Sequence, residues 1–482
     1  MSQTTVLKLG SSVLRSEADL PLAVHEIYRE WRAGRRVLAV VSAFGSTTDD
    51  LLKRAQQLGL PPQREGLAAL LATGEATSAA LLILALDRSG IPATLLNPAQ
   101  IGLLTHGDPL DAEPVAVDVS YLSRELESAV VVVPDSVGRG TDRTALFLAR
   151  ELGGCCKSLQ SPDRLATVRP PLRVALLGCG TVGGGVLARL LARPDLFRVT
   201  GVAVRDRDRV RTPAVPRRLL TDDAASLLAR DADVVVELLG GLDPARTLIA
   251  RSLESGRHVV TANKALLAND GENLSDLAAA RGITLRYSAS VGGALPALEA
   301  VRRVASTGRV RAVAGVLNGT CNFVLDRCAA GASYTDAVSL ARVAGYAEAD
   351  PTLDLDGSDA AQKLSLLARE AFGERLPWET IPRRGIDTLD GRAVTDAARR
   401  GRVVRLVASC ERTDAGLRAS VQPLDLPPDH PFARTSGAGN ALGIELEGGD
   451  LIRINARGAG RWPTTEAVLA DLYDLAFRKE AA

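Results

Sequence analysis

The sequence predicts an α/β protein in three parts: an N-terminal α/β domain, a parallel-sheet domain covered by helices, and an α+β domain after it. Three observations carry this. Two separate stretches have the strand-into-glycine-turn form that opens an α/β domain, VLKLGSS at 6–12 and RVALLGCGTVGGGVLARLL at 173–191. Behind the second, short apolar runs alternate with helical patterns, the signature of a parallel sheet with helices on both faces. From about residue 290 the alternation yields to longer helical segments and β-like runs such as VRAVAGVLN at 310–318.

The linker between the first two parts is SPDRLATVRPPL at 161–172, which is proline-rich and aperiodic. After it, 173–177, 198–204, 233–238, 258–262 and 283–287 read as strands. The stretch GAGRWPTTEAVLADLYDLA at 458–476 reads as a loop and an amphipathic helix.

Bulk composition narrows the class. With 482 residues, 46% hydrophobic and 24% charged, the chain is an ordinary globular protein of several domains. A net charge of +1 gives no footprint for nucleic acid or an anionic membrane. The reading expects no apolar run long enough to span a bilayer and no signal peptide, hence a cytoplasmic location. Six cysteines without CxxC spacing point to a reducing compartment, with neither disulfides nor zinc.

Gly178-Cys179-Gly180-Thr181-Val182-Gly183 is a GxGxxG placed after a strand and opening a helix. The first glycine permits the tight turn, the second lets a pyrophosphate approach the backbone, and the third lets helix and strand pack closely. The helix N-terminus faces the anion. This context predicts a Rossmann dinucleotide site. The next strand, VTGVAVRDRDR, ends in Arg205, where an NAD site usually presents an acid to the ribose 2′-hydroxyl. An arginine suits the 2′-phosphate of NADP, so NADP is preferred, with NAD also accepted; Asp206, next to it, competes for the role.

The chain holds 58 Lys plus Arg, only six of them lysine. Arginine stays protonated, whereas lysine can exchange a proton. Two lysines end motif-like segments: Lys264 in VVTANKALLA, just after a buried strand, and Lys363 at the end of EADPTLDLDGSDAAQKL, behind five carboxylates. Asp359 and Lys363 are one helical turn apart on one face. The bland readings are a solvated acidic loop, a solvated lysine opening a surface helix, and Asp359 as an N-cap with Gln362 reaching back.

GCGTVGGG, VVELLGG, VVTANKA, YSASVGGALP, GVLNGTCNFVL, GYAEADPTLDLDGSDAAQKL and GAGRWPTTEAVLADL, in this order, resemble homoserine dehydrogenase over roughly 171–476. The resemblance implies reduction of L-aspartate 4-semialdehyde to L-homoserine with a nicotinamide cofactor, in threonine and methionine biosynthesis. It implies that Lys363 and Lys264 polarise and protonate the substrate oxygen, that Asp359 orients the lysine and water, and that Glu348 and Asp354 suit the α-ammonium group. Tyr346, Gly319 and Thr320 line the substrate site. Gly178, Gly180, Thr181, Val182, Gly183, Arg205, Gly240, Thr261 and Lys264 fall on the cofactor. The implied domains are a Rossmann domain at 171–290, a substrate-binding and dimerisation domain at 291–435, and a segment at 436–482 returning to the nucleotide-binding domain, in a homodimer or higher homo-oligomer. Ser288 stands where the family has an acidic cation ligand. The implication is no resident metal, with only the carbonyls of Val291 and Gly293 left for a weak monovalent cation.

KLGSSVL, VVSAFGSTTDDLL, TGEATSAALLILALDRSGIPA and VGRGTDRTALFLARELG resemble the amino-acid-binding half of aspartate kinase, in the amino acid kinase family, over 1–165. Lys8 then faces transferring phosphates, and Glu75 and the 139–142 loop face aspartate. The glycine-rich loop is one residue short and the linker follows where the ATP-binding half belongs. The expectation is therefore a degenerate kinase-like domain without phosphoryl transfer. Two alternatives stand beside the dehydrogenase reading: a bifunctional aspartate kinase–homoserine dehydrogenase, and a non-catalytic scaffold for a separate kinase.

Overall fold

The computed structural model describes residues 3–58, 64–135, 143–158, 170–211, 214–347, 350–458 and 460–477. It forms two compact units, Met1–Arg169 and Pro170–Ala482, each described by itself. Glu348 and the 139–142 loop lie outside the described residues.

The first unit is built on β1 (Thr4–Leu9), β2 (Arg36–Val41), β3 (Ala93–Leu95), the small hairpin β4 (Leu104–His106) and β5 (Glu113–Ala116), then β6 (Val130–Pro134) and β7 (Cys155–Ser158). The main sheet is parallel with order β3-β6-β2-β1-β7. Its central strands are runs of Val, Leu and Ala because both faces are covered. Val6, Leu38, Val40, Val131 and Val133 meet Leu122, Ala145 and Leu148 in one core. The helix Arg64–Arg88 is long and apolar enough to cross a bilayer by length and composition. It lies against the sheet instead, with Leu82 and Leu86 fully buried.

The second unit opens with β8 (Leu172–Leu177), β9 (Phe197–Ala203), β10 (Leu220–Thr221), β11 (Val234–Glu237), β12 (His258–Thr261) and β13 (Leu285–Arg286). All pairs are parallel and the order is β10-β9-β8-β11-β12-β13. That is the 3-2-1-4-5-6 order of the doubly wound dinucleotide fold, and the order reverses between β8 and β11. Ligands of such sheets bind at the carboxyl ends of the strands beside this switch point. The two faces carry separate cores. One contains Val174, Leu176, Val234, Val236 and Leu187, and the other Ala175, Leu177, Val235, Ile249 and Leu266.

A second sheet of this unit is antiparallel, with β14 (Val310–Val316), β15 (Val403–Thr413), β16 (Gly416–Leu426), β17 (Gly439–Leu446) and β18 (Leu451–Arg457) in the order β16-β15-β14-β17-β18. The expected segment 436–482 is divided by this. β17 and β18 complete the antiparallel sheet, because β17 pairs with β14 from Val310↔Leu446 to Val316↔Ala441. Only the helix Arg461–Ala476 returns to the parallel sheet. Its Ala467, Val468, Leu469 and Leu472 share the core with Val186, Leu187 and Leu190 of the helix Thr181–Leu191.

Candidate active site

The site grows from three helix N-termini and the strand ends between them. Helix Ser358–Phe372 starts after Gly357, whose φ of 85° reverses the chain, and Gly357 itself is the N-cap. Asp359 therefore does not cap the helix as the capping-box reading has it. Its buried carboxylate points inward and receives Lys363 Nζ at 2.7 Å on one oxygen and Lys264 Nζ at 3.1 Å on the other. Lys264 opens the helix Lys264–Ala280, whose cap is Asn263: its Oδ1 accepts from Leu266 N at 3.1 Å and its Nδ2 donates to Gly241 O at 2.7 Å. Lys363 also donates to Leu317 O at 2.7 Å.

Asn318 ties these parts together. Its Oδ1 caps the helix Gly319–Ala329 by accepting from Cys321 N at 2.8 Å. Its Nδ2 donates to Asp354 Oδ1 at 2.9 Å and Asp359 Oδ2 at 2.8 Å. Thr320 Oγ1 lies 2.7 Å from Tyr346 O and 3.3 Å from Asp354 Oδ2. Tyr346 sets its ring 4.9 Å from that of Phe323. Gly319 passes close to the chain, where a Cβ would crowd the backbone of Ala438 at 3.1 Å.

Electrostatics separates the two central carboxylates. Burial alone would raise Asp359, but Lys363 and then Lys264 overcome it and hold the carboxyl well below its ordinary range. Asp354 is raised, by burial first and by the charge of Asp359 second, against the pull of Asn318 and the lysines. Its hydrogen-bond partners Asn318 and Thr320 are neutral, which suits it to an incoming cation.

The glycine turn fits a dinucleotide. Gly178 has φ 96° and a Cβ there would strike Leu238 O at 2.6 Å. A Cβ at Gly183 would collide with the Gly178 carbonyl, whereas Gly180, the N-cap of the helix Thr181–Leu191, has nothing within 4 Å of that position. Internal packing thus excludes a side chain at Gly178 and Gly183. Gly180 leaves open space for an approaching phosphate. Glu237, unmarked in the sequence reading, organises the neighbouring turn. It is fully buried, accepts from Leu239 N at 2.8 Å and Gly240 N at 3.1 Å, and takes the Thr261 hydroxyl at 2.5 Å. Glu237 and Thr261 are partners across β11 and β12, so adjacent strands place them. Arg205 lies apart from the lysines, exposed beyond the end of β9, in a polar cleft with Asp206, Arg207, Asp208 and Arg217.

Ser288 is not surrounded by carbonyls alone. Its Oγ meets Glu299 and lies 2.8 Å from Asp471 Oδ1, and its N donates to Asp471 Oδ2 at 3.0 Å. Two carboxylates therefore stand where the sequence reading counted the charge as lost. Val291 is buried and Gly293 turns with φ 61° beside them. Among the described residues no group of three or more His, Cys, Asp or Glu side chains is placed to hold a metal ion.

In the first unit, Lys8 and Asp135 form a closed ion pair at the carboxyl ends of β1 and β6, 5% and 3% exposed, and Ser42 Oγ donates to the same Asp135 oxygen at 3.2 Å. Burial pushes the Glu75 carboxyl up to about 8, against the charge of Lys8.

Comparison with known proteins gives these arrangements a family. Residues 178–288 match the family described as homoserine dehydrogenase, NAD binding domain, and residues 296–473 that described as homoserine dehydrogenase. Residues 3–158 match the amino acid kinase family. The homoserine dehydrogenase of Corynebacterium glutamicum is 38% identical over 323 residues, covering 64% of this chain and 72% of that one. That of Mycobacterium tuberculosis H37Rv is 39% identical over 319 residues, covering 63% and 71%. The crystal structure of a homoserine dehydrogenase from Thiobacillus denitrificans superposes with a TM-score of 0.60 at 35% identity, over 64% of this chain and 73% of that one. From the glycine turn to the helix Arg461–Ala476, behind an N-terminal domain of the amino acid kinase family, this chain belongs to the homoserine dehydrogenase family.

Proposed function

We propose that the chain reduces L-aspartate 4-semialdehyde to L-homoserine, with NADPH preferred and NADH accepted. The observation that carries the reading is Asp359 held between the ammonium groups of Lys264 and Lys363, beside Asp354. One carboxylate faces two ammoniums, so positive charge is left over for an oxygen that becomes an alkoxide.

When bound, the nicotinamide supplies the hydride. The chain's own groups handle the oxygen and the proton. Lys363 and Lys264 point N–H at the aldehyde oxygen and stabilise its growing charge. Lys363 gives up the proton that makes the alcohol, which an arginine could not do. Asp359, ionised throughout, holds both ammoniums in place. Asp354, with Glu348, takes the α-ammonium group, and Thr320, Gly319 and Tyr346 bound the pocket beside it. Gly178 to Gly183, Gly240 and Thr261 hold the cofactor, and Arg205 meets its 2′-phosphate.

The first unit in this proposal transfers no phosphoryl group. The support is Lys8, whose charge Asp135 already neutralises at the strand ends. The test of the main reading is absorbance at 340 nm with purified protein, homoserine and NADP, then NAD. Turnover is expected with both and faster with NADP. No turnover with either removes the reading.

A further inference from the structure

One short segment, Leu317 to Cys321, touches both ends of the proposed site. Leu317 O accepts from Lys363 Nζ at 2.7 Å. Asn318, 3% exposed, donates from Nδ2 to Asp354 Oδ1 at 2.9 Å and to Asp359 Oδ2 at 2.8 Å. Thr320 Oγ1 lies 3.3 Å from Asp354 Oδ2, and Cys321 Sγ donates to Asp354 O at 3.1 Å. The segment joins β14 to the helix Gly319–Ala329, so its backbone is anchored on both sides.

The Asn318 amide has one orientation that satisfies its neighbours. Oδ1 accepts from Cys321 N, and turning the group over would set an oxygen against two carboxylates. The amide nitrogen carries two hydrogens, and each has its own acid. Capping the helix needs only the oxygen. A serine would cap it as well, so the nitrogen end is surplus to the helix. That end does what a cation there could not. Two carboxylates sharing one donor repel each other. Burial and then the charge of Asp359 raise the Asp354 carboxyl, and Asn318 is foremost among the groups pulling it back. Being neutral, the amide holds the two acids together and leaves the charge of Asp354 for an ammonium group.

The two acids serve opposite ends of the proposed substrate. Asp354 takes the α-ammonium group, and Asp359 acts on the C4 oxygen through Lys264 and Lys363. In homoserine four bonds separate that nitrogen from that oxygen. Resting on the dehydrogenase reading above, we infer that Asn318 is a positioning residue that sets the chain length of the substrate, because its one nitrogen fixes the spacing between the acid that grips the ammonium and the acid that holds the lysines. The substrate class is a four-carbon 2-amino acid with oxygen at its far end. Serine, one carbon shorter, and 2-amino-5-hydroxypentanoate, one carbon longer, span the wrong distance.

The test compares kcat/KM for L-homoserine, L-serine and L-2-amino-5-hydroxypentanoate at 340 nm with NADP, on the full-chain wild type, Asn318→Ser and Asn318→Asp. Homoserine turnover by the wild type is read first, so that failure of the dehydrogenase reading shows there and not in the comparison. Circular dichroism and NADPH affinity are read on each variant, and both should match the wild type. Asn318→Ser keeps the cap and loses both donors. It should lower kcat/KM for homoserine about tenfold, chiefly through KM, as for loss of a hydrogen bond to a charged group. The preference for homoserine over the longer alcohol should fall about tenfold with it. Where the wild type does not turn over the longer alcohol, its turnover by the variant is the same result. Asn318→Asp keeps the cap and the shape but sets a third carboxylate beside the other two, so its preference should fall at least as far. A folded Asn318→Ser that loses kcat/KM equally for all three alcohols would make Asn318 a general support of the acids and overturn the inference. Unchanged kcat/KM and unchanged preference would make it a helix cap alone and overturn the inference as well.

Discussion

Lys363 Nζ lies 2.7 Å from Asp359 Oδ2, one turn away on the same helix, while the other oxygen of that carboxylate is 3.1 Å from Lys264 Nζ. The i,i+4 spacing makes the first contact local, and the fold makes the second. Helix Lys264–Ala280 leaves the parallel sheet and helix Ser358–Phe372 packs beside it, so one buried acid fixes lysines 99 residues apart in sequence. The three groups form the centre of the proposed chemistry.

Lys264→Ala should lose most of kcat while cofactor affinity changes by less. Lys363→Arg separates charge from proton transfer. It keeps a cation near the substrate oxygen but has no proton to release. Its kcat should fall by about 10²-fold or more, within the usual contribution of general acid–base catalysis. A kcat near that of the wild type would leave Lys363 a purely electrostatic role.

Asp359 gives the stability a definite pH dependence. Its carboxyl is held below the ordinary value by the two lysines, against burial. The unfolded chain therefore binds this proton more readily than the folded one. The stabilisation is complete above about pH 4, where the unfolded carboxyl has ionised, and is lost as pH falls toward the depressed folded value. Asp354 runs the other way: raised in the fold, it costs stability as pH climbs past about 4. Asp359→Asn should destabilise by about 3–5 kcal/mol at pH 7, since two cations lose their buried partner. Urea midpoints from pH 7 to 3 should fall less steeply in the variant than in the wild type. Parallel curves would mean that Asp359 titrates alike in both states.

Arg205→Ala should raise KM for NADP about tenfold and leave KM for NAD nearly unchanged, because only NADP carries the 2′-phosphate. Arg205 is exposed in a cleft where Arg217 is already paired with Asp208 at 2.6 Å. Equal changes with the two cofactors would show that Arg205 reads nothing of the ribose.

Aspartate and MgATP should give no ADP above the rate without enzyme. Lys8 is the cation that phosphates would need, and Asp135 occupies it inside the sheet. Aspartate-dependent ADP release would restore the bifunctional alternative.

Much of this site was legible because its signals are short-range. The glycine turn announces itself by spacing, β8, β9 and β11 to β13 by their apolar runs, and the Asp359–Lys363 pair by one helical turn. What escaped depends on partners set by tertiary structure. Glu237 reads as the polar end of an apolar strand, and its role appears only when β12 brings Thr261 alongside it. Asn318 precedes Gly-Thr as a helix cap would, a signal present in the sequence. Its second role, holding Asp354 and Asp359, needs a helix some 40 residues later. Ser288 looked neutral because Glu299 and Asp471 reach it from other helices. The division of 436–482 was hidden for a similar reason: β17 and β18 alternate like any edge hairpin, and only pairing with β14 assigns them to the second sheet.

The central claim is that the Lys264–Asp359–Lys363 group carries homoserine chemistry, and one measurement bears on it most directly. Purified wild type and Lys363→Ala are assayed side by side at 340 nm with homoserine and NADP at alkaline pH, where the released proton favours oxidation. NADPH affinity is measured on the same samples. The account predicts clear NADPH formation by the wild type and a loss of about 10²-fold or more in the variant, which still binds NADPH and stays folded. A wild type that forms no NADPH, or a Lys363→Ala variant that forms it at the wild-type rate, would contradict the account.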